Sequence, residues 1–154
     1  KTTLPAKLSS TEINFMSSVT KAKSFALSMK YVLYAAPEKV FDALTKEAII
    51  GEWCEGGGKV EPKADGEFEL FGGWVKGNVM IFDRKKKILS YTWKPAEWDK
   101  KTAPSVVTWH INQHAAGSEI ELEHTGFPSQ EEADKHYDGW TDYVLEPLND
   151  YFIK

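Results

Sequence analysis

The stretch Ser118-Glu119-Ile120-Glu121-Leu122-Glu123-His124 sets acidic side chains against apolar ones at every second position. A period of two places Glu119, Glu121 and Glu123 on one face of a strand and Ile120, Leu122 and His124 on the other, so one face is wet and one is covered. The cover is written immediately downstream. Gly126-Phe127-Pro128-Ser129 ends the strand, and Ser129 with Glu132 three residues on makes a capping box for a long final helix. On that helix Trp140, Tyr143, Val144, Leu148, Tyr151 and Phe152 recur every three or four residues, a stripe to be pressed against the sheet. Pro147 falls inside the stripe and deletes the bond its amide would give to Tyr143, so a kink is expected there.

Upstream, Phe25 to Tyr34 is rich in aromatic and β-branched residues and reads as the first long strand, starting at Ser24. Ala36-Pro37-Glu38 opens a helix, with Pro at the first helical position and an acid facing the positive end of the dipole. Val40, Phe41 and Leu44 give it an apolar face. A second short helix follows Thr45, carries Ile49, Ile50 and Trp53 inward, and stops at Glu55-Gly56-Gly57-Gly58. Strands then fit Val60-Glu61, Glu67 to Phe71, Trp74 to Phe82, Ile88 to Trp93, Ser105 to Gln113 and Ser118 to His124, an antiparallel meander. Together these elements predict an α+β helix-grip fold, a curved antiparallel sheet wrapped around a long C-terminal helix with two short helices after the first strand. Residues 1–22 are polar with no clear period and read as an N-terminal arm or linker before a domain at 23–154.

At 154 residues one domain with its own core is expected. Cys54 is the single cysteine, which rules out an internal disulfide and suits a reducing, cytoplasmic setting. No run approaches the ~20 apolar residues of a membrane helix and no secretory signal opens the chain. The chain begins at Lys1 and not at a methionine, so removal of something upstream is expected, by processing, by cloning or by separation from another domain. A net charge of -4 argues against nucleic acid as a partner. The basic run Arg84-Lys85-Lys86-Lys87 reads as a solvated hairpin tip. Glu55-Gly56-Gly57-Gly58-Lys59-Val60 lacks the Ser or Thr and the following helix of a phosphate loop.

Four stretches carry a family resemblance: Ala36-Pro37-Glu38-Lys39-Val40-Phe41-Asp42-Ala43-Leu44-Thr45; Gly66 and Gly77 with Gly73-Trp74-Val75-Lys76 before the latter; Tyr91-Thr92-Trp93-Lys94; and Gly126-Phe127-Pro128 leading to Gly139-Trp140. From Lys23 onward the chain resembles the START-like or Bet-v-type (SRPBCC) superfamily and, within it, the activators of heat-shock protein 90 ATPase, in their C-terminal domain and bacterial single-domain relatives. The resemblance implies a co-chaperone-like or ligand-binding domain with no cofactor and no catalytic machinery. Such activators carry a further N-terminal domain thought to drive ATPase stimulation, and residues 1–22 do not match it.

For a ligand cavity between sheet and helix the candidates are Trp53, Trp74, Tyr91, Trp93, Trp109, Leu122, His124, Trp140 and Tyr143, apolar walls with a few polar groups. His124 is the foremost polar candidate, since the alternation buries it and a buried histidine needs partners. Dense aromatic packing explains the same residues without a ligand. Cys54 reads as a small buried hydrophobe, and His110, His114 and His136 as surface or satisfied histidines. They offer no metal-ligand spacing. A protein partner of chaperone type leads, with a small hydrophobic ligand as the alternative. Enzymatic relatives exist in the superfamily, but no acid, base and nucleophile converge in this sequence.

Overall fold

The structure, a computed structural model, describes residues 25–154. The arm or linker expected over residues 1–22 lies outside the described residues. The elements run β1 Phe25–Leu33, α1 Pro37–Thr45, α2 Glu47–Trp53, β2 Gly58–Val60, β3 Glu67–Leu70, β4 Val75–Asp83, β5 Ile88–Pro95, β6 Ser105–His114, β7 Gly117–Phe127, α3 Gln130–Trp140, a wide-turned π segment Thr141–Leu145, and α4 Glu146–Phe152. The seven strands form one curved antiparallel sheet in the order β1-β7-β6-β5-β4-β3-β2. Only β1 leaves sequence order, crossing to pair with β7 through Leu27↔His124 and Tyr31↔Ile120.

The alternation in β7 holds along the strand: Ile120, Leu122 and His124 are buried, while the intervening glutamates reach solvent. Ser129 accepts a hydrogen bond from the Glu132 amide at 3.1 Å. Only this half of the capping box forms, because the Glu132 carboxylate is drawn to the Trp98 indole N–H at 2.9 Å. The last helix is anchored to β1 by Asn149, whose carbonyl oxygen accepts from the Tyr34 amide at 2.8 Å and whose amide donates to the Val32 carbonyl at 3.0 Å. One side chain thus satisfies both backbone groups at the end of an edge strand.

Gly77 lets β4 and β5 meet closely, since a Cβ there would lie 1.9 Å from the Thr92 carbonyl oxygen. One step further, Met80 is a bulge in the β4–β5 ladder, and Met80 and Ile81 are consecutively exposed in place of the alternation.

Two expectations change in detail. The irregularity predicted at Pro147 occurs just upstream as the π segment, which runs directly into α4 with Pro147 in its first turn. Half of the basic tip is held within the chain: Arg84 reaches Glu38 at 2.6 Å and Asp42 at 2.8 Å, and Lys87 reaches Glu38 at 3.0 Å. Lys85 and Lys86 stay exposed. The acids on α1 sit where the hairpin folds back, a proximity that no local pattern reveals.

Candidate functional site

On α3, Glu132, His136 and Trp140 are four residues apart, so one helical face presents all three. That face meets the end of β5 at Trp93. Opposite it, Phe71 at φ +55 and Gly72 at φ +66 turn the chain sharply before β4 and deliver Trp74. Between these walls lies a cleft of about 350 Å³, lined chiefly by Phe71, Trp74, Trp93, His136, Trp140 and Tyr143. Glu55, Glu97, Glu132 and Lys135 also line it.

Every indole N–H of the chain's six tryptophans has an acceptor within the chain. Trp53 donates to the Ala43 carbonyl at 2.8 Å, Trp74 to Glu97 at 2.7 Å, Trp93 to His136 Nε2 at 3.0 Å, Trp98 to Glu132 at 2.9 Å, Trp109 to the Tyr91 hydroxyl at 2.9 Å and Trp140 to His124 Nδ1 at 3.0 Å. These bonds fix the histidine tautomers. His124 accepts at Nδ1, so its Nε2–H donates to Ser105 Oγ at 2.8 Å, and the Ser105 hydroxyl in turn donates a hydrogen bond to the Trp93 carbonyl at 2.9 Å. His136 accepts at Nε2 and donates from Nδ1 to the Glu132 carbonyl at 2.9 Å.

Both rings are neutral for the same reason. Burial, aided by the nearby His136, pushes His124 down to about 2. Burial also lowers His136, against the opposing pull of its bond to the Glu132 carbonyl and of the Glu132 charge. Burial alone would raise the Glu132 carboxyl, but hydrogen bonds from Trp98 and Lys135 hold it below the usual carboxylate range. Burial raises the Tyr91 hydroxyl and the Cys54 thiol, so neither ionises readily.

Of the nine residues picked from sequence, Trp74, Trp93, Trp140 and Tyr143 line the cleft. Trp53, Tyr91, Trp109, Leu122 and His124 are buried elsewhere in the core. His124 does not line this cleft: Trp140, which does, donates to its Nδ1 from the cleft side. Tyr143 does not join the packed stripe and is 61% exposed. The π turn rotates successive residues by less than an α turn does, which sends Val144 and Leu145 inward and leaves Tyr143 on the cleft rim. Trp74 precedes β4 instead of opening it and is 38% exposed. Sequence reasoning missed His136, Glu132, Glu97 and Phe71 as cleft residues. The spacing Glu132, His136, Trp140 was the available signal for the first two.

Among the described residues no group of three or more His, Cys, Asp or Glu is placed to hold a metal ion. No described helix is long and apolar enough to cross a membrane.

A family model described as Activator of Hsp90 ATPase homolog 1-like protein matches residues 34–152. The activator of 90 kDa heat shock protein ATPase homolog of Dictyostelium discoideum is 24% identical over 148 residues, covering 95% of this chain and 38% of that protein. The chain thus spans well under half the length of that curated relative. Among solved structures, a Mesorhizobium loti protein superposes with a TM-score of 0.69 at 25% identity, covering 82% of this chain and 95% of that one. An HSP90 activator from Plasmodium falciparum superposes with a TM-score of 0.66 at 23% identity, covering 84% and 95%.

Proposed function

The chain belongs to the Activator of Hsp90 ATPase homolog 1-like family, and from that premise we propose that it is a non-catalytic, co-chaperone-like module that binds a protein partner of the heat-shock protein 90 type through its surface. The observation that carries the reading is the family match over residues 34–152, which takes in every element from α1 to α4. The interior supports a surface mode of action. Its indole N–H groups are all engaged within the chain, and His124 is bonded at both nitrogens. The paired and neutral state of the two core histidines also fits a domain without acid–base chemistry of its own.

The test is titration of the chain into heat-shock protein 90 by calorimetry, with ATPase turnover followed in parallel. Weak association with little stimulation is the expected result, because residues 1–22 do not match the segment thought to stimulate. Absence of any heat of binding at high micromolar concentration would overturn the reading.

A further inference from the structure

We propose that the cleft between β5 and α3 binds a small organic cation on an apolar body, an aromatic or alkyl ammonium compound. The proposal does not depend on the chaperone reading. It follows from what the cleft walls have left to offer. The N–H groups of Trp74, Trp93 and Trp140 are donated to Glu97, His136 and His124, and that of His136 to the Glu132 carbonyl. A ligand rich in acceptors, such as a carboxylate, would find only the Lys135 ammonium and the Tyr143 hydroxyl, and Lys135 is already paired with Glu132 at 3.1 Å. What remains open is the opposite kind of surface: the 38% exposed ring of Trp74 and the carboxylates of Glu55 and Glu97, since the two Glu132 oxygens are taken by Trp98 and Lys135.

The charges agree. Three acids, Glu55, Glu97 and Glu132, and one lysine line the cleft; Lys135 is paired with Glu132 on the same helix, so Glu55 and Glu97 carry the excess negative charge, and His136 adds no positive charge near neutral pH because burial lowers it. A cation within about 6 Å of a ring centroid is attracted by the ring's negative face, and here the 38% exposed ring of Trp74 stands 6.4 Å from the nearly perpendicular, buried ring of Trp93 on the facing wall. Phe71 and Val144 supply an apolar surface for the ligand body. A volume of about 350 Å³ falls at the small end of the ~300–1,000 Å³ range of small-molecule sites. The π segment is a further sign. Such wide turns recur at functional sites, and this one keeps Tyr143 out of the core and at the cleft mouth.

The probe is benzyltrimethylammonium, with 3-phenylpropionate as an anion of similar size, each titrated while tryptophan fluorescence and heat of binding are followed. The cation is expected to bind saturably with Kd below roughly 1 mM, and the anion at least about tenfold more weakly. Glu97→Gln keeps an oxygen for the Trp74 N–H and removes only charge, and Trp74→Ala removes a ring. Each should weaken the cation by roughly threefold to tenfold. Both positions are exposed, and an unchanged denaturation midpoint for Glu97→Gln confirms that the fold is intact. No saturable cation binding, equal binding of the anion, or unaltered affinity in both variants would overturn the proposal. A failure to bind heat-shock protein 90 would leave this result untouched.

Discussion

Trp93 divides two environments built from the same residue types. On its sealed side, Trp109 donates to Tyr91 and Trp140 to His124, and the chain of bonds runs on through Ser105, ending always on neutral acceptors. On its cleft side, Trp74 and Trp98 donate to the carboxylates of Glu97 and Glu132. An ionised acceptor is costly where water cannot reach it, so the carboxylates mark where the interior ends. The comparison teaches that an indole N–H reports on its surroundings through the charge of its acceptor, and that the aromatic cluster is half core and half cleft wall.

The largest expected effect is at Trp140, which separates the sealed side from the cleft that it also lines. Trp140→Ala removes a side chain that is 2% exposed and strips His124 of its Nδ1 donor, and it should destabilise the domain by about 3 to 5 kcal/mol. Chemical denaturation showing a loss under about 1 kcal/mol would break the distinction between the two sides.

The next effect is on pH dependence. The folded chain keeps His124 neutral down to about 2, whereas the unfolded chain takes up that proton near the ordinary value of 6.5. Stability is therefore insensitive to this group above that value and falls with falling pH below it, by about 2 kcal/mol at roughly pH 5. His136 contributes in the same direction. In His124→Leu the fall between about pH 8 and pH 5 should shrink by that amount. An unchanged fall would assign the proton to another group.

The smallest effect is on the cleft side. Trp74→Ala alters a half-exposed ring and should cost only about 1 kcal/mol, while weakening the cation probe. A loss as large as that of Trp140→Ala would make Trp74 core and merge the two regions.

Much of this architecture was legible in the residues. Strict alternation placed His124 inward, Pro37 and Ser129 marked helix starts, and the glycines around Gly56 stopped α2, because each signal acts within a few residues. Tyr143 shows where the method stops. Helical spacing put it on the inward stripe, but whether a helix keeps an α turn or widens into a π turn depends on what it packs against. His136 shows the same limit from the other direction, since its worth lies in Trp93, 43 residues away.

By itself the sequence determined the order of strands and helices and the buried face of β7, consequences of periodicity and local backbone preference, while its motifs carried the family likeness. Only the tertiary structure decided which indole meets which acceptor, which four of nine candidates line a cleft, and that the cleft is acidic. Those outcomes depend on long-range approach and on access of water, two properties that belong to the folded surface and to no segment of the chain.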